Sequence, residues 1–208
     1  MEKRDFDKDA KSYDLKPGRV KLAQDVATAI ISEVHLNSDM DALDFGCGTG
    51  LVTLQLQPFL RTITGADSSH GMLDVLKSKI EEKNLTNVKT EFIDLGKSVE
   101  LKDKYHLIIS SMTLHHIENI EYIIHEFYNC LLPGGYLCIA DLDSDNGDFH
   151  RDKTGVVHSG FDRAEIRGLF IAGGFQDVRD MTAASVVKDL SEGRSLEFTV
   201  FLMIGRKY

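Results

Sequence analysis

Apolar residues in this chain change their spacing again and again, and that change of period constrains the fold more than any other feature. Val20, Ala23, Val26, Ala27, Ile30, Ile31 and Val34 recur at intervals of three and four, which predicts an amphipathic helix over residues 19–35, opened after Pro17-Gly18. Ala42-Leu43-Asp44-Phe45 is short and apolar, reads as a buried strand, and runs into the turn Gly46-Cys47-Gly48-Thr49-Gly50. The exchange repeats downstream. Strands are predicted at 62–66, 88–93, 105–111 and 136–140, and helices over a stretch ending near Pro58, at 69–83 and at 120–132. Such alternation calls for parallel strands joined by right-handed crossovers, with helices on both faces of the sheet. Past residue 141 the rhythm breaks. A helix is expected at 162–172, closed by Gly173-Gly174, then strands at 175–182 and 197–206 that pair antiparallel at one edge, with 183–196 assigned to neither. The expected fold class is α/β: a doubly wound, seven-stranded mixed sheet whose last strand is antiparallel.

No repeat, low-complexity tract or Pro/Ser-rich linker interrupts the 208 residues, so one domain over 1–208 is expected, with 1–35 as an N-terminal segment and helix. At 42% hydrophobic and 27% charged residues, disordered and fibrous classes are excluded. Cys47, Cys130 and Cys138 are odd in number and lack metal-ligand spacing, which points to a reducing, cytoplasmic compartment. The first residues are charged, and no apolar run approaches the roughly 20 residues that span a bilayer, so no signal peptide and no membrane span are expected. With 24 Lys+Arg against 33 Asp+Glu the net charge is -9, which disfavours nucleic acid as a partner and fits a small acceptor better.

In a doubly wound sheet, ligands sit beyond the carboxyl ends of the strands, and the first strand-to-helix loop is the usual cradle. Gly46–Gly50 occupies that place, where glycines bring a ligand against the main chain and the next helix start offers unpaired N–H groups. Asp67 follows the second strand, where a carboxylate accepts from both hydroxyls of a ribose, and Asp94 follows the third, within reach of an exocyclic adenine amine. A glycine turn and two capping aspartates would account for each feature singly. Three in order, each at a strand's carboxyl end, point to a ligand cleft.

Over residues 5–141 the sequence resembles the class I S-adenosylmethionine-dependent methyltransferases, in particular the small-molecule branch that includes the ubiquinone/menaquinone enzymes. The resemblance is carried by Phe6-Asp7-Lys8-Asp9-Ala10-Lys11-Ser12-Tyr13-Asp14, by Leu43-Asp44-Phe45-Gly46-Cys47-Gly48-Thr49-Gly50, and by Gly65-Ala66-Asp67-Ser68-Ser69 with Met72-Leu73. It continues through Leu114-His115-His116-Ile117 and Leu131-Leu132-Pro133-Gly134-Gly135. It implies a Rossmann-like domain in which Asp44 and the loop Gly46, Cys47, Gly48 and Gly50 hold the methionine part of S-adenosyl-L-methionine. Asp67 with Ser68 would hold the ribose, Met72 would pack on adenine, Asp94 with Leu95 would bind its amine, and Ser111 and Met112 would flank the methionyl end. A nicotinamide-binding domain is the rival, but its fingerprint is GxGxxG; this loop reads GxGxG after Asp44, whose carboxylate suits an ammonium better than a pyrophosphate.

A sulfonium methyl is already activated, so transfer needs in-line positioning, exclusion of water and in some cases a base. His116, His150 and His158 are the candidates to act on the acceptor; for His115-His116 the competing reading is a structural cap. Residues 142–161 hold several aspartates, two histidines and Phe149 and Phe161 without a clear element, which suggests a substrate lid rather than a connector. Aspartates 141, 143, 145 and 148 lack the glycine and glutamate of a calcium loop, so no metal is expected. Tyr13 and Arg19 are placed to close over the methionyl end, and Cys47 reads as a small spacer. The expected function is methyl transfer to a small-molecule acceptor by in-line displacement, leaving S-adenosyl-L-homocysteine; the alternative is a non-catalytic cofactor-binding or regulatory subunit of the same fold.

Overall fold

The computed structural model of the protein describes residues 5–94, 101, 103–145, 147–150, 152–189 and 195–208. Among them are strands β1 (Asp41–Phe45), β2 (Thr62–Asp67), β3 (Val88–Phe92), β4 (Tyr105–Ser111), β5 (Leu131–Leu142), β6 (Gln176–Asp189) and β7 (Ser195–Arg206). They form one sheet in the order β3-β2-β1-β4-β5-β7-β6. The first five are parallel, and β7 lies antiparallel to both β5 and β6. The mixed sheet expected from the alternation is therefore present. Its chain order reverses between β1 and β4, which is where such sheets open a cleft.

Side chains alternate between two cores with the period of a strand. On β5, Leu137 and Ile139 face one core while Cys138, Ala140 and Leu142 face the other; on β7, Phe201 and Met203 oppose Val200, Leu202 and Ile204. Helix α2 (Pro17–Glu33) covers one face through Val26, Ala27 and Ile30. Helices α5 (Ile120–Cys130) and α6 (Arg163–Ala172) cover the other through Ile123, Ile124, Phe127, Ile166 and Phe170. Phe45 meets Phe127 edge-on with ring centroids 4.9 Å apart. Each such fully buried ring contributes about 2–3 kcal/mol of transfer free energy.

Several element bounds differ from the sequence expectation. Helix α5 ends at Cys130 because Leu131 already pairs with Tyr105 of β4, ahead of a register shift that absorbs Pro133-Gly134. The helix after the glycine loop shortens to α3 (Thr53–Leu56) and a 3-10 turn through Pro58. Of the stretch 183–196, assigned to neither strand, residues 183–189 belong to β6 and 195–196 to β7, and Lys188 still pairs with Leu196. That stretch runs past Val200, the last β7 residue paired with β5. With no third strand beside it, neither of its faces is uniformly buried, so its apolar alternation is weak. The N-terminal segment holds α1 (Phe6–Asp9) and a 3-10 turn over Ala10–Leu15, and α4 (His70–Glu82) follows β2. No helix among the described residues is long and apolar enough to cross a membrane.

Candidate active site

The chain turns back immediately after β1. Gly46 and Cys47 donate their backbone N–H groups to Ala66 O at 2.8 and 3.0 Å, which ties the turn to the end of β2. Gly46, Gly48 and Gly50 take φ of 76°, 54° and 79°, a region that costs most L side chains about 1 kcal/mol or more. At Gly46 space is the stricter condition, because a Cβ there would overlap the Thr113 side chain. Thr113 is β-branched and buried, and its hydroxyl lies 3.2 Å from Gly46 O and 3.1 Å from Ser111 O. The loop is thus pressed against the residues that follow β4.

Asp44, the penultimate residue of β1, is 1% exposed, and its carboxylate accepts from Thr53 Oγ1 at 2.5 Å. Burial pushes its pKa up to about 6 against the Thr53 hydrogen bond, and the nearby Asp67 charge adds to the rise. Asp67, the last residue of β2, accepts from Gly48 N at 2.7 Å on one oxygen and from Ser69 N at 2.9 Å on the other. Burial raises its pKa as well, opposed by these backbone N–H groups. With Ser68 N–H as a third donor, the carboxylate still keeps acceptor capacity for a ligand hydroxyl. Replacing Asp67 by alanine is expected to weaken binding of S-adenosylhomocysteine by about 1–3 kcal/mol, the range for charged hydrogen bonds; unchanged affinity by calorimetry would remove Asp67 from the site.

The other sequence-selected residues gather around this edge. Met72 is buried in the first turn of α4, whose N-cap Ser69 accepts from Met72 N at 3.1 Å, while Ser68 is exposed and Asp94 half-buried just beyond β3. Leu95 lies outside the described residues. Ser111 ends β4, and Met112, a non-glycine residue at φ 56°, donates its N–H to Ala140 O at 2.8 Å. Held in a sparsely populated region, Met112 is turned out of the strand beside the glycine loop. Cys47 is buried with its thiol pushed well up by burial, which fits a spacer and not a nucleophile.

The Phe6–Asp14 stretch supplies two anchors whose partners its own sequence does not indicate. Asp7 accepts from Ser69 Oγ at 2.5 Å and Gly71 N at 2.8 Å, capping α4 from outside. Asp14 accepts from Thr49 Oγ1 at 2.6 Å and pairs with Lys79 at 2.5 Å. Arg19 stacks on Tyr13 at 3.8 Å, and Phe6 meets His116 at 5.4 Å. The segment therefore straps across the loop, the start of α4 and the turn after β4.

Of the three candidate histidines, two come together. His116 and His150 lie 6.3 Å apart with His115 between them, at 4.2 and 4.8 Å. His115 is buried, and its Nδ1 meets Asp141 Oδ1 at 2.7 Å. Burial alone would raise the Asp141 pKa, but the facing His115 ring and the N–H groups of Leu142 and His115 bring it below the ordinary carboxylate value. The one signal for this pair in the sequence is that Asp141 sits at a strand's carboxyl end, as Asp67 does. His158 stands apart: its Nε2 meets Ile117 O at 2.9 Å and its ring packs on Phe161. The ends of the stretch 142–161 are joined, through Phe161 N to Leu142 O at 2.9 Å and Ser144 N to Phe161 O at 3.0 Å. It is laid on the histidine turn by Val157 N and His158 N, both donating to His115 O. Among the described residues, no cluster of three or more His, Cys, Asp or Glu side chains suits a metal.

Residues 42–135 match the model of the methyltransferase domain family. An uncharacterized methyltransferase of Schizosaccharomyces pombe is 30% identical over 167 residues, covering 73% of this chain and 59% of that protein. The malonyl-[acyl-carrier protein] O-methyltransferase of Priestia megaterium is 29% identical over 171 residues, covering 81% and 58% respectively. The chain thus spans little more than half the length of these curated relatives. The crystal structure of the Bacillus subtilis YcgJ protein shares the fold, with a TM-score of 0.72 at 16% identity over 88% of this chain and 97% of that one.

Proposed function

From the premise that this chain belongs to the class I S-adenosylmethionine-dependent methyltransferases, we propose that it is an enzyme that binds S-adenosyl-L-methionine and moves its methyl group to a small-molecule acceptor. The observation that carries this reading is the buried Asp44 carboxylate, whose hydrogen-bond donors among the described residues are both neutral groups of Thr53, its hydroxyl and its backbone N–H. A buried carboxylate without a cation is costly. A ligand ammonium at the mouth of the glycine loop supplies that cation, and this is a feature of a methionine group that a dinucleotide lacks.

The residues divide the work by position. Asp44 and the Gly46–Gly50 main chain hold the amino-acid end, Asp67 takes the ribose hydroxyls, and Met72 with Asp94 flanks the base. When bound, the sulfonium supplies a methyl group that needs no further activation. What remains for the protein is to align the acceptor and keep water out. The N-terminal strap and the 142–161 loop lie where both tasks fall. The small-molecule acceptor is supported by the acidic net charge and by a Leptospira interrogans relative named demethylmenaquinone methyltransferase. A reducing, cytoplasmic setting fits the three unpaired cysteines.

Calorimetric titration of the folded protein with S-adenosylhomocysteine, with NAD in parallel, tests the reading. Binding of the former alone is the expected result. Binding of NAD alone, or of neither, overturns it.

A further inference from the structure

We propose that His150 binds the methyl acceptor and selects for an uncharged hydroxyl on it, which donates a hydrogen bond to the ring Nε2; this rests on the methyltransferase reading above. Among the described residues, His150 Nε2 is the buried side-chain nitrogen or oxygen left without a hydrogen-bond partner. Buried polar atoms in folded proteins are paired in the great majority of cases, and leaving one unpaired costs about 1–3 kcal/mol. An atom kept in that condition by surrounding rings is one whose partner comes from outside the chain.

The surroundings say where that partner comes from. The His150 ring sits 4.8 Å from His115 and 4.9 Å from Phe149. His115 lies two residues past Thr113, whose hydroxyl touches Gly46 O, so the imidazole cluster adjoins the glycine loop at the carboxyl ends of β4 and β5. On its other side lies the part of the β6–β7 pairing that outruns β5. Phe149 meets Phe198 of β7 edge-on at 5.3 Å, and Lys188 of β6 places Nζ 3.3 Å over the Phe149 ring and 2.6 Å from Phe149 O. The extra length of the pairing thus ends against the residue that precedes His150.

Charge then selects the class of acceptor. Burial, together with the neighbouring His115, His116 and Lys188, lowers the His150 pKa to about 4, so the ring is neutral at physiological pH; the proposed hydroxyl selects the tautomer with its proton on Nδ1 and its lone pair on Nε2. The carboxylates beside the cluster are already engaged: Asp141 with His115 and Leu142 N, Asp145 with the N–H groups of Gly147 and Phe149. An ammonium would meet the Lys188 charge, while the Asp141 carboxylate that also acts on His150 is already held by His115; a carboxylate would meet a neutral ring. A neutral hydroxyl on an apolar body that packs against Phe149 satisfies the site.

Three probes that share a ring separate these cases: benzyl alcohol, benzyl methyl ether and benzylamine, each added to protein saturated with S-adenosylhomocysteine and carrying 15N-labelled histidine. Benzyl alcohol is expected to move the His150 Nε2 resonance and to bind about tenfold more tightly than either other probe, the ratio one buried hydrogen bond supports. His150→Phe, which sacrifices no existing Nε2 bond, is expected to fold, to keep its S-adenosylhomocysteine affinity and to lose the tenfold preference. His150→Asn is expected to regain part of it. Equal or undetectable binding of the three probes, or an undiminished preference in His150→Phe, overturns the assignment. Failure of the unmodified protein to bind S-adenosylhomocysteine at all overturns the methyltransferase reading instead.

Discussion

Gly46→Ala is expected to lower the free energy of unfolding by about 2–4 kcal/mol and to abolish measurable binding of S-adenosylhomocysteine. Two costs add. Left-handed backbone at φ 76° disfavours a Cβ by about 1 kcal/mol, and overpacking a rigid neighbour adds about 1–3 kcal/mol. The neighbour here is Thr113, fixed by burial and by carbonyl contacts on both sides. Because Thr113 joins the loop to the residues after β4, the displacement would spread to both halves of the cleft. Gly48→Ala is the internal control. Its φ of 54° is also left-handed, but nothing lies within 4 Å of the added Cβ, so a loss of only about 1 kcal/mol is expected. Urea unfolding at constant m-value, with calorimetry on each variant, separates the two. Equal losses at the two positions would show that backbone conformation, not the Thr113 contact, governs the loop.

Affinity for S-adenosylhomocysteine is expected to fall about tenfold between pH 7 and pH 5, because the ligand ammonium requires the ionised Asp44 whose pKa stands at about 6 in the free protein. The sign for stability is the opposite. The folded pKa lies above the ordinary value of 3.8, so the unfolded carboxyl ionises first as pH rises. Asp44 therefore favours the fold most below about pH 4, and that contribution is lost as pH rises through about 6. At neutral pH the ionised, buried Asp44 costs the ligand-free protein up to about 3 kcal/mol, the free-energy equivalent of its pKa rise. Asp44→Asn should then raise the ligand-free stability at pH 7, flatten the pH dependence of binding, and weaken binding by about 2–3 kcal/mol through loss of the charged partner. Asp67, also raised by burial, shifts binding in the same direction, so Asp44→Asn should remove most of the slope and leave the part that Asp67 carries. A slope undiminished in Asp44→Asn would place the ammonium elsewhere.

Both predictions concern residues that stand out in the amino-acid sequence itself. Asp44, the glycine loop and Asp67 are conspicuous because a parallel sheet puts the carboxyl ends of successive strands side by side. Position along each strand then stands in for position in space, and the register Asp44↔Gly65, Phe45↔Ala66 brings the first and second motifs together with no further information. The strand runs themselves are legible because two-sided burial demands nearly continuous apolar residues. The outer half of the β6–β7 pairing is hard to read for the converse reason, since it borders no third strand.

The histidines mark where sequence stops. His115, His116 and His150 meet, and His158 turns away to Ile117, although nothing in their local sequence distinguishes the members of the group from the outlier. Asp141 is 26 residues from the His115 it holds, and Asp7 and Asp14 are 64 and 35 residues from the Gly71 and Thr49 they anchor. Period and spacing report on backbone hydrogen bonding and on which face is buried, and those were enough to determine the sheet and its crossovers. Which loop side chains converge depends on how connectors of different length fold back over that edge, a matter of long-range packing that only the tertiary structure decided.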